Sequence, residues 1–265
     1  MKEIIDSHAH LAWDSYAEDQ KEVIERALQS GVVQIVHAGV DLTSIPEMIA
    51  LADQYSEIFL GFGLHPHEAK LWNNEAEAAL RKALAHPKAV AVGECGLDYF
   101  YNHSDRESQL TAFAHQVRLA RELSKPLIVH SRDAWEDTFS ILEEEGGGQV
   151  PGVFHCFTGG PEVLPTVEKL DFYVSFSGIV TFKKAANIQA AAPLVKENRL
   201  LVETDCPYLA PQAVRGKRNE PAYVWMVAEK LGELRGVSVD AIAQITMDNA
   251  RRLFGLPLPA SQTSS

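Results

Sequence analysis

The chain has 265 residues, of which 46% are hydrophobic and 23% charged, the composition of a globular protein with a sizeable core. Its formal net charge of −12 argues against a surface that coats nucleic acid by bulk electrostatics, although a local basic cleft can still hold one. No apolar run reaches the roughly 18 residues that are needed to cross a bilayer, so we expect no membrane association.

The cysteines and the first residues indicate the compartment. The sequence has three cysteines, an odd number with no CxxC pair, and this argues against a disulfide framework. They are Cys95, Cys156 and Cys206. Each follows a polar strand-end residue, so strand alternation predicts that all three are small buried hydrophobes facing the helix layer. The N-terminus lacks the apolar core of a signal peptide. We therefore expect a cytoplasmic protein, and the sequence indicates no obligate protein partner.

Short apolar runs alternate with helical patterns along almost the whole chain. The predicted strands are 4–10, 32–37, 58–62, 89–92, 126–129, 153–154, 172–176 and 200–202. The predicted helices are 15–30, 44–55, 74–84, 106–123, 134–145, 162–170, one within 185–195, 221–234 and 239–253.

Eight such β-α repeats predict the fold class. Strands that are apolar on both faces belong to a parallel sheet, and eight repeats favour a closed barrel over an open sheet. We therefore predict an α/β protein, a single-domain (β/α)8 TIM barrel over residues 1–256. The small, polar, proline-broken end, 257–265, is predicted to be a disordered tail. No GxGxxG or GxxxxGK[ST] motif follows a strand, which weakens nucleotide-cofactor interpretations.

Histidines and carboxylates recur where the predicted strands end, which is the edge at which barrels of this kind build active sites. Taken singly, each has an ordinary explanation as a hydrogen-bonded core histidine or a helix-capping carboxylate. Together they would be costly buried polar groups unless a divalent metal paired them. The candidate ligands are His8, His10, Glu94, His130, His155 and Asp205.

This set contains more ligands than one tetrahedral ion needs. Two ions about 3.5–4 Å apart, bridged by one carboxylate, would use them all. We assign the bridge to Glu94, and we expect Asp205 to bind metal and to orient or deprotonate the attacking water. The mixed imidazole and carboxylate set suits Zn, Mn, Co or Ni, and Mg or Mn if phosphate and water complete the shell.

Seven segments together resemble one family. They are Asp6-Ser7-His8-Ala9-His10-Leu11, Gly63-Leu64-His65-Pro66-His67, Gly93-Glu94-Cys95-Gly96-Leu97-Asp98-Tyr99, His130-Ser131-Arg132, His155-Cys156-Phe157-Thr158-Gly159, Glu203-Thr204-Asp205 and Arg215-Gly216-Lys217-Arg218-Asn219-Glu220-Pro221. Their order and content resemble the TatD family of metal-dependent deoxyribonucleases, within the amidohydrolase-like barrels.

The resemblance implies a (β/α)8 fold, one to three divalent metals and hydrolysis of DNA phosphodiesters, often from the 3′ end. Carried over by position, it implies that His8, His10, Glu94 and Asp205 hold one metal. The second metal would be held by Glu94, His130 and His155.

Further residues are candidates for substrate binding or support. Pro66 indicates a turn, so His65 and His67 are expected to contact the substrate or to support the site, and not to ligate metal. Arg132 either neutralises a phosphate or pairs with Asp133. Glu203 either hydrogen-bonds a ligand histidine, joins a third metal or is structural. Exposed bases could stack on the aromatic side chains of Tyr99, Phe100, Tyr101 and Phe182.

The densest basic patch follows the last strand, where local positive charge can draw a polyanion into the cleft. We assign phosphate binding to Arg215, Lys217 and Arg218, against the alternative of a solvated loop, and Lys183 and Lys184 could add to the patch.

The leading hypothesis is a deoxyribonuclease, a 3′ to 5′ exonuclease that uses two divalent ions (Mg, Mn or Zn, with a possible third) on single-stranded or frayed DNA ends. The first alternative is a barrel hydrolase acting on a small amide, lactone or ester. No lysine ends the fourth strand, where Glu94 stands, and this disfavours a carbamylated-lysine amidohydrolase. The second alternative is a non-enzymatic, metal-stabilised scaffold.

Overall fold

The strands of the protein form one parallel sheet in a computed structural model that describes residues 2–146 and 149–258. Neighbouring strands pair in chain order from first to last. The strands are β1 (Ile4–Ala9), β2 (Val32–Ala38), β3 (Ile58–Phe62), β4 (Ala89–Asp98), β5 (Leu127–Arg132), β6 (Gly152–Phe154), β7 (Tyr173–Phe176) and β8 (Leu200–Val202).

The sheet closes where β1 meets the residues after β8. Ala9 and Cys206 form a parallel bridge, and the backbone N–H of Asp205 donates to the carbonyl of His8 at 3.0 Å. The N–H of His10 donates to the carbonyl of Cys206 at 2.8 Å. The predicted (β/α)8 barrel is therefore confirmed.

Helices fill the connections between strands and cover the outside of the barrel. They are α1 (Gln20–Gln29), α2 (Ile45–Gln54), α3 (Asn74–Leu84), α4 (Arg106–Leu123), α5 (Trp135–Gly146), α6 (Leu164–Lys169), α7 (Ala186–Ala191), α8 (Val224–Arg235) and α9 (Val239–Phe254).

Local sequence signals account for the helix ends. The side chain of Asp105 accepts from the N–H of Ser108 to cap α4, and Ser238 caps α9 by accepting from Ala241. The first helix starts at Gln20 and not at residue 15, because Asp14–Tyr16 forms a separate 3-10 turn. Among the helices of the described segments, none combines the length and the hydropathy of a membrane-spanning segment.

Strand β4 extends six residues beyond the predicted end at Val92, and this extension carries part of the site. Its glycine-rich sequence does not match a strand pattern, yet the extension pairs with β5 after a register shift between Val92 and Cys95. Gly96 has a φ of +140°, and a Cβ there would lie 1.9 Å from the carbonyl oxygen of His130. Glycine therefore lets β4 run close to β5 at the mouth of the barrel.

The barrel interior has an apolar layer below a polar one. Ile5, Ile128, Val153, Tyr173 and Leu201 form part of the apolar layer, and α9 covers it from the N-terminal end with Met247, Ala250, Leu253 and Phe254. Two residues further along the same strands, on the same face, stand polar side chains. They are Ser7, His130, His155, Ser175 and Glu203. Because side chains two residues apart on a strand share a face, the polar layer of the candidate site lies directly above the apolar layer.

The predicted tail is described only at its start. The carbonyl of Pro257 accepts from the Gln34 side chain at 2.8 Å, while Leu258 is exposed. The rest of that tail, 259–265, lies outside the described residues, and the boundary at 256 stays a prediction.

Candidate metal centre

A cavity of about 820 Å³ opens at the C-terminal end of the strands. Five of the six candidate metal-binding residues line it, while His8 lies fully buried beneath it. This volume lies within the range of roughly 300–1,000 Å³ that is usual for small-molecule binding pockets. The residues from five separated strand ends thus meet in one place.

The carboxylate of Glu94 lies at the centre of this cluster, and its two oxygens face different imidazoles. Oε2 lies 3.2 Å from Nε2 of His8 and 3.6 Å from Nε2 of His10. Oε1 lies 2.9 Å from Nε2 of His155 and 3.1 Å from Nδ1 of His130. One buried carboxylate is therefore shared between two pairs of histidines.

Asp205 completes the group on the Oε2 side of Glu94. Its Oδ1 lies 3.3 Å from Nε2 of His10 and 3.7 Å from Nε2 of His8. His8, His10 and Glu94 have ligand atoms within 4.8 Å of one another, and so do His8, His155 and Asp205. These sets can each hold a metal ion.

Two features of the cluster fit a bound cation. Burial raises the pKa of Glu94, but His155, His65 and His130 outweigh burial and hold the pKa well below its usual range. Glu94 is therefore a buried anion at neutral pH. Nε2 of His8, His10 and His155 also converge on the carboxylate oxygens of Glu94, at 3.2, 3.6 and 2.9 Å. Imidazole nitrogens that converge on a buried anionic carboxylate form a donor set that divalent ions bind.

Backbone contacts decide which ring nitrogens are free. The carbonyl of Ala38 lies 2.9 Å from Nδ1 of His10 and accepts its proton, so Nε2 presents a lone pair to the centre. In His65, Nδ1 instead accepts the N–H of His67, so we assign the proton to Nε2. That nitrogen lies 3.2 Å from Oε1 of Glu94 and donates to it. His65, Glu94 and His130 nevertheless also have ligand atoms within 4.8 Å of one another, so the non-ligating role of His65 stays a prediction.

Asp98 is a site residue to which the sequence assigned no role. Its Oδ2 lies 3.1 Å from Nε2 of His130 and 3.2 Å from Nε2 of His67. Its Oδ1 accepts the N–H groups of Phe100 and Tyr101, both at 2.9 Å. Only the extension of β4, in which Asp98 pairs with Arg132, brings this carboxylate beside His130.

Glu203 and Asp6 support the centre from below. Oε1 of Glu203 accepts the N–H of Cys156 at 2.6 Å and lies 3.4 Å from Nδ1 of His155. Asp6 accepts from the N–H and the hydroxyl of Thr204, at 2.9 and 2.6 Å. Burial is the main cause that raises the pKa of Asp6 to about 8. Both carboxylates tie one strand end of the site to another.

The predicted substrate residues divide into two groups. His65, His67 and Arg132 line the cavity, and the Arg132 guanidinium lies 3.9 Å from the centre of the Phe100 ring. The basic residues Arg215, Lys217 and Arg218 are not among the lining residues.

Arg218 is held elsewhere by acidic neighbours. Its guanidinium donates to both carboxylate oxygens of Asp19, at 2.6 and 2.7 Å, and to Glu220 at 3.4 Å. Arg215 lies over the Phe182 ring at 4.5 Å. Asp19 lies 199 residues from Arg218 in the sequence, so only the fold reveals this ion pair. Phosphate binding by Arg215, Lys217 and Arg218 stays a prediction.

The prediction for the cysteines holds at two positions. Cys95 and Cys206 are fully buried in the apolar core. Cys156 instead lines the cavity, with Sγ 3.2 Å from the Ser177 hydroxyl. Strand alternation fails there because β6 ends at Phe154 and Cys156 has a φ of +42°.

Imidazoles and carboxylates gathered around one glutamate at this end of a (β/α)8 barrel define a candidate metal centre, and comparison with known proteins identifies the class as metal-dependent hydrolases. The family model described as TatD related DNase matches residues 5–255. The chain belongs to this family.

Relatives agree with this assignment over nearly their whole length. A protein of Bacillus subtilis, named uncharacterized metal-dependent hydrolase YabD, is 44% identical over 95% of this chain and 98% of its own. A protein of Shigella flexneri, named 3′-5′ ssDNA/RNA exonuclease TatD, is 34% identical over 96% of this chain and 99% of its own. The crystal structure of YJJV, a TatD homologue of Escherichia coli, superposes with a TM-score of 0.90 at 28% identity, covering 96% and 98%.

Proposed function

We propose that this hydrolase cleaves DNA phosphodiester bonds, as a 3′ to 5′ exonuclease acting on single-stranded or frayed ends in the cytoplasm. The observation that carries the proposal is the position of Glu94, whose two oxygens face separate sets of imidazoles. A carboxylate shared in this way suits a two-ion site, which is the arrangement that clamps both the attacking and the leaving oxygen of a displacement.

The residues divide into two sets around Glu94. We assign His8, His10 and Asp205 to one divalent ion, and His130 and His155 to the other, with Glu94 in both sets. Mg, Mn or Zn suits the donors, and Glu203 is the residue that we assign to a third ion where one binds. When bound, such ions polarise the phosphate and lower the pKa of water.

Asp205 is the residue that we expect to handle the proton. Burial raises its pKa, but the hydrogen bond with His10 and the charges of the neighbouring histidines outweigh burial and lower the pKa below its ordinary value. The carboxylate is therefore ionised at neutral pH. It lines the cavity, so it can orient the attacking water and accept its proton.

Three observations support DNA as the substrate. The family description and the name of the Shigella flexneri relative both refer to nucleases. Arg132 brings a positive charge to the wall of the cavity, next to the exposed aromatic residues Phe100 and Tyr101. A cation beside aromatic faces suits a chain of phosphates and unpaired bases.

The free thiols of Cys95, Cys156 and Cys206 support the cytoplasmic location.

The proposal is tested with labelled single-stranded DNA, duplex DNA and a panel of esters and lactones, each with Mg, Mn and Zn in turn. We expect metal-dependent release of mononucleotides from the 3′ end of single strands, and a loss of at least about 100-fold in Asp205→Asn. Asp53→Asn, on the surface beside His86, is the matched control and should keep full activity. Hydrolysis of lactones alone would refute the substrate, and full activity of Asp205→Asn would refute the mechanism.

A further inference from the structure

We propose that two aromatic walls flank the metal centre and that each binds the base on one side of the scissile phosphate. This inference rests on the proposed phosphodiesterase function. The first wall consists of Phe100, Tyr101 and Arg132. The second wall consists of Trp13 and Tyr208. Together they would make a dinucleotide unit, and not an isolated phosphate, the ligand of the cavity.

The exposure of aromatic side chains first points to these walls. Burial of aromatic side chains is favourable, and exposed ones that gather around one cavity mark a candidate binding surface. Among the phenylalanine, tyrosine and tryptophan residues of the described chain, three have about half of their surface exposed. They are Phe100 at 55%, Tyr101 at 51% and Tyr208 at 47%. All three line the one cavity that holds the metal centre.

The first wall stands on the Oε1 side of Glu94 and is held in place from two directions. The Asp98 carboxylate accepts the backbone N–H groups of Phe100 and Tyr101, which fixes the loop after β4. The Arg132 guanidinium lies 3.9 Å from the Phe100 ring centre and 4.8 Å from that of Tyr101. This wall therefore offers aromatic faces together with a positive charge two residues beyond His130.

The second wall stands on the opposite, Oε2 side of Glu94. The Trp13 ring lies 5.6 Å from the His10 ring and meets Tyr208 edge-on at 5.7 Å. The N–H of Tyr208 donates to the carbonyl of Asp205 at 3.1 Å, which fixes the start of the loop after β8. Each wall thus extends directly from residues that we assign to one of the two ions.

The chemistry of a phosphodiester matches this two-sided arrangement. Its phosphorus carries a nucleoside on each side, so a phosphate seated at the centre sends one base toward each wall. Stacking on aromatic residues tolerates any base, because every base has a π face. A paired base has both faces covered by its neighbours in the duplex, so the walls select unpaired ends.

The test uses three ligands as competitors of oligonucleotide hydrolysis. Thymidylyl-thymidine has a base on both sides of the phosphate, while thymidine 3′-methyl phosphate and thymidine 5′-methyl phosphate each have a base on one side. The variants are Phe100→Leu with Tyr101→Leu for the first wall, and Trp13→Leu with Tyr208→Leu for the second. Leu194→Ala, an exposed apolar residue that does not line the cavity, is the control.

We expect each double variant to raise the inhibition constant of thymidylyl-thymidine about tenfold. It should raise that of one methyl ester to the same extent and leave the other within twofold, and the two variants should affect opposite esters. Metal content and the circular dichroism spectrum show whether each variant keeps its fold and its centre.

The outcomes separate the two proposals. If the wild-type protein does not hydrolyse the oligonucleotide, the proposed function fails. If it does, and both variants affect the two esters equally or not at all, the two-wall assignment is overturned while the nuclease proposal stands.

Discussion

Oδ2 of Asp98 lies 3.1 Å from Nε2 of His130, on the side of the imidazole opposite to Glu94. The ring is therefore held between two carboxylates, one at each nitrogen. A carboxylate behind a ligand histidine fixes the orientation of the ring and raises the basicity of the nitrogen that faces the metal. Asp98 is thus a positioning residue for His130, in a centre that also contains Glu94.

We expect Asp98→Asn to weaken metal binding by about 10- to 100-fold, because the amide cannot stabilise the imidazole as the carboxylate does. The measurement is metal affinity by competition with a chelating dye. Asp53→Asn is the control, since Asp53 faces His86 at the same 3.2 Å that separates Asp98 from His67. Equal affinities of the two variants would contradict a positioning role for Asp98.

Glu94→Gln should reduce the number of bound ions. The substitution removes the negative charge that both sets of histidines face, while keeping the size of the side chain. We expect two ions per chain in the wild type and at most one in the variant, measured by elemental analysis after dialysis. A variant that retains the full metal complement would show that Glu94 is not the bridge.

We expect Arg132 to affect DNA binding and Arg218 to affect the stability of the fold. Arg132→Ala removes a cation from the cavity wall, so we expect a rise of about tenfold in KM for DNA with little change in kcat.

Arg218→Ala breaks a partly exposed pair with Asp19, which we expect to lower the free energy of unfolding by about 0.5–1 kcal/mol. Steady-state kinetics and urea unfolding of both variants check this, and a raised KM in Arg218→Ala would show that Arg218 binds phosphate as well as Asp19.

The pH dependence of stability should report on His37. Its Nε2 accepts the N–H of Ala12 and its Nδ1 donates to Ala9, so the fold needs the neutral ring. Burial, and the charge of His10, lower the pKa of His37 from its ordinary 6.5 to about 3. The unfolded chain therefore binds the proton first, and the stabilisation present above pH 6.5 is lost as the pH falls toward 3.

The loss from this residue should reach about 1.4 kcal/mol per pH unit between those values. Urea unfolding in a chelator, at pH 5 and pH 7.5, measures it. His37→Gln keeps an acceptor for Ala12 but cannot be protonated, so its stability should fall less over this range than that of the wild type. Identical slopes in the two proteins would contradict the assignment.

The barrel was predictable because its signals are local. Each buried strand is a short apolar run, and each helix has a period or a capping residue that can be read within ten or so residues. The histidines and carboxylates also follow from this pattern, since parallel strands present their carboxyl ends at one edge.

The residues that escaped prediction depend on contacts between distant parts of the chain. Asp98 lies on a glycine-rich extension whose pairing with β5 no local pattern indicates. Arg218 donates to Asp19, 199 residues away in sequence, and the Tyr208 ring meets the ring of Trp13, which lies near the other end of the chain. Register, long-range ion pairs and loop packing are set by the whole fold, so a single sequence does not reveal them.

The junction of β1 with the segment after β8 has a consequence for synthesis of the protein. His8 leaves the ribosome early, whereas Asp205, whose N–H donates to the His8 carbonyl, is added almost 200 residues later. A partly made chain holds the opening histidines but lacks the partner that closes the barrel and completes their site. The proposed two-ion site therefore cannot be complete before the segment that follows β8 has been synthesised.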